Sequence, residues 1–298
     1  MKPLVDLHIH SIYSDGTCGV DEICAQAVKR GVQTIALSDH DTTGGLAPMR
    51  EAVDAVNRGV HRLTLIPALE LSSGESGLTH VLGYGIHPGA EPLESELATL
   101  KRIRMERNLE TIRLIGGMLK RELLPEAALQ NGGPDPALGR MHVARLLMDH
   151  HIVRSVDEAF RKYLGVGKPA YLPLHHMSTE GAIGALRKSG AVPVLAHPVR
   201  IGVLDDDADR TIAYLKACGL MGLEVFHPSA SEPDVKLLYR LAAKHGLLVT
   251  GGSDFHGDFG MRTQIGEYPS GWHTWEQDLD ALRAAIDASA ASHTKGEH

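Results

Sequence analysis

The chain has 298 residues, of which 43% are hydrophobic, and this is enough for one large globular α/β domain or two smaller ones. Its net charge of −7 disfavours duplex DNA as the main partner, because duplex binding depends on basic surface. No apolar run approaches the roughly 20 residues needed to span a bilayer. Three cysteines are too few for a disulfide framework, and no apolar signal segment precedes the first strand. We therefore expect a cytoplasmic protein without a membrane partner.

The first third of the chain alternates short apolar runs with amphipathic segments, which is typical of βα units. The predicted strands here are Leu4–His8, Thr34–Leu37, Leu63–Leu69 and Thr79–Tyr84. The predicted helices are Asp21–Arg30, which Gly31 ends, and Leu46–Arg58.

This rhythm stops in the middle of the chain, where no strand pattern is evident between Pro88 and Pro173. Helical patterns cover Leu93–Glu122, Arg140–His151 and Val156–Leu164, with a loop at 131–136. We therefore predict a helical insertion at 88–173 that caps an α/β domain made of 1–87 and 174–298. The many charges of the first of these helices are interpreted as a solvated face without a role in a site.

The α/β rhythm then resumes and continues almost to the end of the chain. The predicted strands are Val192–Ala196, Gly222–Phe226 and Leu247–Thr250. The predicted helices are Glu180–Lys188, Asp207–Cys218, Pro233–His245 and Trp275–Ala288, followed by a frayed tail at Ser292–His298. About seven βα units predict a closed or distorted barrel of mostly parallel strands, with its site at the carboxyl ends of the strands.

The first strand ends in a candidate metal site. His8 and His10 are two residues apart, so in a strand both side chains point to the same face. The turn at 14–16 brings the carboxylate of Asp15 back towards them. Two imidazoles and a carboxylate at a strand end indicate a divalent-metal site.

Nearly every other predicted strand also carries an imidazole or a carboxylate at one end. These residues are Asp39, His40, Glu70, His80, His197, His227, Asp254 and His256. Imidazole and carboxylate without thiolate suit Mn, Zn or Fe. Cys18 and Cys24 do not have zinc-finger spacing and are interpreted as small apolar residues.

Together these segments resemble the motifs of the PHP (polymerase and histidinol phosphatase) family of phosphoesterases. The segment from Asp6 to Gly16 resembles the first motif, 38–40 the second, Glu70 with His80 the middle one, and 196–198 and 253–256 the last. The resemblance extends over the whole chain apart from the content of the insertion. It implies a distorted (β/α)7 barrel of the amidohydrolase-like type.

The resemblance also implies three divalent ions, with Mn as the first expectation and Zn or Fe as alternatives. The first ion would be bound by His8, His10, Glu70 and Asp254. The second would share Glu70 and add His80 and His197, and the third would take Asp15, His40 and His256.

Three ions would leave excess positive charge over the three carboxylates, which favours a phosphate substrate. A metal-bridging hydroxide is then expected to attack phosphorus, with no catalytic side chain beyond it. His227 is a proton-donor candidate by position alone.

Four further residues are candidate substrate contacts, together with Asp15. Arg200 lies three residues after His197 and suits bidentate contact with phosphate. Lys168 lies in a Gly-rich turn, and Arg140 and His142 begin a predicted helix, whose amino end favours anions. A cap with its own cations predicts a substrate with a second anionic group.

The strings 196–200 and 167–171 resemble the subgroup that removes the 3′-phosphate of nucleoside 3′,5′-bisphosphates, such as adenosine 3′,5′-bisphosphate. The alternatives are a 5′-3′ exonuclease on short 5′-phosphorylated RNA and a histidinol-phosphate phosphatase, which the basic cap disfavours. An amide hydrolase and a non-catalytic metal-binding protein are weaker alternatives. The predicted partner is a small phosphorylated nucleotide or short RNA, and no obligate protein partner is predicted.

Overall fold

A computed structural model of the chain describes residues 4–74, 78–91, 93–124, 138–174, 177–202, 207–257, 263–268 and 275–296. Within these residues, seven strands form one sheet in sequence order. The strands are β1 (Leu4–Ile9), β2 (Val32–Leu37), β3 (Thr64–Ser73), β4 (Thr79–Tyr84), β5 (Val192–Leu195), β6 (Gly222–Phe226) and β7 (Leu248–Gly251).

The sheet is mostly parallel, as the sequence predicts. Only β4 runs antiparallel to its neighbours β3 and β5 among these strands. β3 continues four residues beyond the predicted Leu69, because it forms a hairpin with β4 in which Ser73 pairs with Thr79. At the other side of the sheet, His10 N donates to Phe255 O at 2.9 Å, so the carboxyl ends of β1 and β7 lie together. Full closure of the barrel stays a prediction.

The helices lie between the strands in the predicted order. They are α1 (Val20–Arg30), α2 (Leu46–Asn57), α3 (Leu93–Leu119), α4 (Arg140–Asp149), α5 (Val156–Ala159), α6 (Thr179–Lys188), α7 (Ala208–Ala217), α8 (Glu232–His245) and α9 (Trp275–Gly296). Gly31 ends α1 in the left-handed conformation, with φ of 74°. A π-helical turn, Phe160–Leu164, follows α5. None of the described helices is long and apolar enough to cross a membrane.

The prediction of a frayed tail from Ser292 is wrong, because α9 continues to Gly296. Alanines dominate the preceding turns of this helix, and alanine has the highest helix propensity. His293 also packs on the strand-flanking turn at Gly190, where an added Cβ would lie 3.2 Å from the Cβ of His293. The helix therefore continues past Ser292, with alanine-rich turns before it and a packed side chain at His293.

Two separate hydrophobic clusters lie inside the described residues. The larger one fills the space between the sheet and its helices and includes Leu93 and Leu97 at the start of α3. The smaller one includes Ile112 and Ile115 at the end of α3 and packs against α4. This second core fits the predicted helical insertion, although the domain boundaries stay a prediction. The loop predicted at 131–136 lies outside the described residues.

Candidate metal centre and adjoining cavity

The carboxyl ends of the strands bring imidazoles and carboxylates together. His8 and His10 are fully buried, and their Nε2 atoms lie 3.2 Å and 3.3 Å from Oε2 of Glu70. Both also approach Oδ1 of Asp254, at 3.4 Å and 3.3 Å. The alternation along β1 therefore places both histidines on one face, as predicted. Ligand atoms of these four residues lie within 4.8 Å of one another, so they could hold a metal ion.

Glu70 lies between two sets of histidines. Its Oε1 is 3.0 Å from Nδ1 of His80 and 2.9 Å from Nε2 of His197. Its Oε2 faces His8 and His10, and it also lies 3.1 Å from Nδ1 of His40. A carboxylate whose two oxygens face different imidazoles has the geometry of a bridge between two metal ions.

Asp15 is the centre of a third group. Its Oδ1 lies 3.3 Å from Nε2 of His256, and its Oδ2 lies 3.9 Å from Nε2 of His40. Nδ1 of His256 is 2.8 Å from the backbone oxygen of Asp254 and donates to it, so Nε2 is the ring nitrogen turned towards Asp15. His10 joins this group through Nδ1, 3.9 Å from Oδ1 of Asp15, which the sequence did not predict.

Several buried polar atoms at this centre have no hydrogen-bond partner among the described residues. They are Nε2 of His8, both ring nitrogens of His10, Oδ1 of Asp15, Nδ1 of His40, Oε2 of Glu70 and Nδ1 of His197. Leaving such atoms unsatisfied in the interior is costly. Most of these atoms point into the same small space, and all are nitrogen or oxygen atoms that can bind a metal ion. Divalent cations that accept imidazole and carboxylate ligands therefore fit these residues.

The electrostatics keep the carboxylates in their ligand form. Burial alone would raise the pKa of Glu70, but His40, His8 and His80 outweigh it and hold that pKa well below its ordinary value. Neighbouring histidines likewise hold the pKa values of Asp15 and Asp254 well below their ordinary range against the effect of burial. Burial lowers the pKa of His197 to about 4, so this ring is neutral near pH 7.

Two buried aspartates fix the loops that carry these groups. Oδ1 of Asp39 accepts from Ser11 N at 2.8 Å and from Ser14 Oγ at 2.6 Å, which holds the turn before Asp15. Asp6 accepts from the backbone N and the hydroxyl of Ser253, at 3.0 Å and 2.6 Å, which holds the residue before Asp254. Asp39 therefore borders the metal centre rather than facing it.

His227 lies at the metal centre, and both of its ring nitrogens contact neighbouring residues. Its Nδ1 accepts from Ser229 N at 3.1 Å, so the ring proton is on Nε2. That proton points to Oδ2 of Asp254, 3.3 Å away. His227 thus contacts a candidate metal ligand, and its role as a proton donor stays a prediction.

A cavity of about 170 Å³ opens beside the metal centre. Its walls include Asp15, Glu70 and Asp254 as well as four arginines, which are Arg104, Arg107, Arg140 and Arg200. The guanidinium of Arg200 donates to Oδ2 of Asp254 at 2.9 Å, so it lies directly at the centre. Two of these guanidiniums come from α3, one from the start of α4 and one from the segment after β5, and all four surround the same space.

Arg104 and Arg107 correct the prediction that the charges of α3 lie on a solvated face without a site role. Arg104 is 5% exposed, and both residues line the cavity. Arg104 donates through Nε to the backbone oxygen of Leu138 at 3.0 Å and through Nη1 to Ser72 Oγ at 3.0 Å. A sequence signal existed: Arg104 and Asn108 continue the buried stripe of Leu97 and Leu100 at helical spacing.

The other candidate substrate contacts have different positions. The guanidinium of Arg140 lies 5.6 Å from the ring centre of Phe160 and 5.8 Å from that of Tyr171, so aromatic rings fix it at the cavity. His142 is buried and accepts from Gly139 N through Nδ1 at 3.0 Å, closing the start of α4. Lys168 is exposed and is not among the residues that line the cavity, so its substrate contact stays a prediction.

Sequence reasoning also missed Glu224, a fully buried carboxylate in β6 that contacts His8. Its signal was a lone acidic residue in the otherwise apolar string Gly222–Phe226. Clustered imidazoles and carboxylates at strand ends, beside four arginines, are the groups that a metal-dependent hydrolase of an anionic substrate requires.

Comparison with known proteins gives the family. The PHP domain matches residues 6–89. The 3′,5′-nucleoside bisphosphate phosphatase of Chromobacterium violaceum is 36% identical over 85% of this chain and 87% of its own length. The 5′-3′ exoribonuclease Rnm of Escherichia coli is 32% identical over 92% of this chain and 94% of its own length. The crystal structure of a metal-dependent phosphoesterase from Bifidobacterium adolescentis superimposes with a TM-score of 0.84, at 27% identity, over 96% of this chain and 97% of its own.

The chain therefore belongs to the PHP family of metal-dependent phosphoesterases. It is an enzyme, a hydrolase of phosphoric ester bonds.

Proposed function

We propose that this enzyme removes the 3′-phosphate of nucleoside 3′,5′-bisphosphates and leaves the 5′-phosphate in place. The observation that carries this proposal is the shared cavity, in which one wall holds the candidate metal ligands and another holds arginines of the insertion. A substrate with two phosphates would satisfy both walls at once. The 36% identical 3′,5′-nucleoside bisphosphate phosphatase supports the same choice.

The metal ligands of this proposal are the nine residues predicted from sequence. They are His8, His10, Asp15, His40, Glu70, His80, His197, Asp254 and His256. When bound, divalent ions, with Mn as the first expectation, would supply Lewis-acid stabilisation of the phosphoryl oxygens and a water acidic enough to ionise near neutral pH. The low pKa values of Asp15, Glu70 and Asp254 keep their oxygens available as ligands at that pH.

Arg200 is the proposed contact for the phosphate that is cleaved. Its guanidinium already donates to Asp254 at 2.9 Å, and its side chain is 48% exposed and lines the cavity. A guanidinium presents several N–H groups, so it can keep this contact and bind a phosphoryl oxygen as well. In this role Arg200 would orient the phosphate and offset charge that develops in the transition state.

Arg107 and Arg140 are the proposed contacts for the second phosphate, with Arg104 behind them. Burial, together with Arg104 and Arg140, lowers the pKa of Arg107 to about 9. Its Nε is buried without a hydrogen-bond partner among the described residues. A guanidinium that stays protonated under such repulsion gains from a nearby anion. A 5′-phosphate between these arginines would supply that anion.

Short 5′-phosphorylated RNA is the second candidate substrate. The 32% identical 5′-3′ exoribonuclease supports it, and the same arginines would hold the terminal 5′-phosphate. Histidinol phosphate is disfavoured, because its amine needs a free carboxylate. The described carboxylates that line the cavity, Asp15, Glu70 and Asp254, all belong to the candidate metal groups.

A panel of phosphate esters tests the proposal. The Mn-loaded enzyme is incubated with adenosine 3′,5′-bisphosphate, AMP, histidinol phosphate and a short 5′-phosphorylated RNA, and released phosphate and nucleotides are measured. We expect the bisphosphate to give AMP and phosphate with the highest kcat/KM. Equal turnover of simple monoesters would contradict the bisphosphate assignment, and a preference for RNA would favour the second candidate.

A further inference from the structure

Glu224 is a charged residue in the interior of the sheet. It is the third residue of β6, in which all five residues are buried, and its own side chain is 0% exposed. An ionised carboxylate in such a place is costly unless each oxygen accepts hydrogen bonds. Both oxygens of Glu224 do so, and both partners belong to histidines of the metal centre.

The first oxygen sets the proton position on His8. Oε1 of Glu224 lies 2.8 Å from Nδ1 of His8. The other oxygen, Oε2, accepts from the backbone N–H of His197, and an ionised carboxylate only accepts hydrogen bonds, so Nδ1 of His8 donates to Oε1. Nε2 is then the ring nitrogen that faces Oε2 of Glu70 and Oδ1 of Asp254, at 3.2 Å and 3.4 Å. Glu224 thereby turns Nε2 of His8 towards the candidate metal position.

The second oxygen holds the backbone of His197. His197 has φ of 28°, in the left-handed region that non-glycine residues rarely adopt. Its N–H donates to Oε2 of Glu224 at 2.7 Å, and its Nε2 lies 2.9 Å from Oε1 of Glu70. The hydrogen bond from His197 to Glu224 therefore supports the backbone conformation that aims this ring at Glu70.

We propose that Glu224 is a positioning residue that orients ligands on both sides of the bridging Glu70: His8 by its ring nitrogen and His197 by its backbone. One carboxylate thus sets the geometry of two metal positions. Removing a group that hydrogen-bonds to a metal ligand typically weakens metal binding roughly 10- to 100-fold. The inference rests on the metal ligands proposed above.

Metal competition measures this role without substrate. Metal-free wild type, Glu224→Gln and the surface control Glu232→Gln are titrated with Zn²⁺ against a chelating dye of known affinity. Gln can accept from one partner but presents an amide N–H₂ to the other, so we expect Zn²⁺ to bind roughly 10- to 100-fold more weakly. Glu232 lies on the exposed start of α8, so its variant should match wild type. Wild-type affinity in a folded Glu224→Gln protein would overturn the proposal.

A second measurement needs no variant and reports on the proton directly. In Zn-loaded wild type with ¹⁵N-labelled histidine, we expect His8 to carry its proton on Nδ1 and the metal on Nε2. A proton on Nε2, or metal bound through Nδ1, would overturn the proposal. If Glu224 only stabilised the fold, either ring nitrogen of His8 could carry the proton.

His8→Ala separates the two levels of inference. If His8→Ala binds as much Zn²⁺ as wild type, the proposed metal site itself is wrong. If His8→Ala loses metal while Glu224→Gln binds it as tightly as wild type, only the positioning role is wrong.

Discussion

Arg104 of α3 makes a buried ion pair with Asp41, the residue that follows His40 in the loop after β2. The side chains are 6% and 0% exposed, and Asp41 also accepts from Ser72 N at 2.7 Å. Asp41 has φ of 54°, so its backbone is in the left-handed region. The pair ties α3 to the loop that carries His40 and, through Ser72, to strand β3, which carries Glu70.

Removing Arg104 should destabilise the fold. Arg104→Met leaves the buried carboxylate of Asp41 without its cationic partner, which typically costs about 3–5 kcal/mol. We expect a loss of this size in the free energy of unfolding of the metal-free protein, measured by urea titration. Arg102→Met is the matched control, because Arg102 and Glu106 form an exposed pair on the same helix and such pairs contribute at most about 1 kcal/mol. Equal effects of the two variants would show that the buried pair does not stabilise the fold.

Arg107 should matter for substrates with a second phosphate. A hydrogen bond to a charged group is worth about 1.5–3 kcal/mol, so Arg107→Gln should lower kcat/KM for adenosine 3′,5′-bisphosphate by about 10- to 100-fold. Adenosine 3′-monophosphate, which lacks that phosphate, should be affected much less. Arg113→Gln on an exposed turn of the same helix should change neither value. A similar loss for both substrates in Arg107→Gln would place Arg107 away from the second phosphate.

Asp15 should control one metal ion and not the others. Asp15→Asn keeps the size of the side chain but weakens the group formed with His40 and His256, so elemental analysis should find about one ion fewer per chain. The turn that carries Asp15 should stay folded, because Arg145 donates to its backbone oxygen. Asp21→Asn on the exposed face of α1 serves as the control. Unchanged metal content, or loss of every ion, would contradict a separate third site.

His142 should make stability depend on pH. Burial, together with Arg145 and Arg104, lowers its pKa from 6.5 to about 4. The unfolded chain therefore binds a proton between these values that the folded protein does not, and stability falls as pH decreases through this window. Relative to wild type, His142→Gln should lose less stability between pH 6.5 and pH 4, by up to about 3 kcal/mol. Gln can still accept from Gly139 N at the third helical position. Parallel stability curves for the two proteins would contradict this assignment.

The parts of the site that follow local rules were predictable from sequence. His8 and His10 share a face because side chains alternate along a strand, and Asp254 follows a strand whose carboxyl end meets that of β1. The strand β4 was also predicted, at Thr79–Tyr84, although its antiparallel direction was not.

Residues whose role depends on distant partners were not predictable. The charges of α3 fit a solvated helix until the fold brings Arg104 beside Asp41 and Leu138, 63 and 34 residues away in sequence. Glu224 acquires its role only through His8, which is 216 residues away. A charged side chain inside an apolar stripe was the available signal in both cases.

The most direct test compares two substrates that differ only in the second phosphate. Adenosine 3′,5′-bisphosphate and adenosine 3′-monophosphate have the same scissile phosphate and the same base. The ratio of their kcat/KM values therefore measures the contribution of Arg107 and Arg140, the proposed contacts for the second phosphate. Two charge-assisted contacts predict a ratio of about 100 or more in favour of the bisphosphate, with AMP as its product. Equal kcat/KM values for the two substrates would contradict the account.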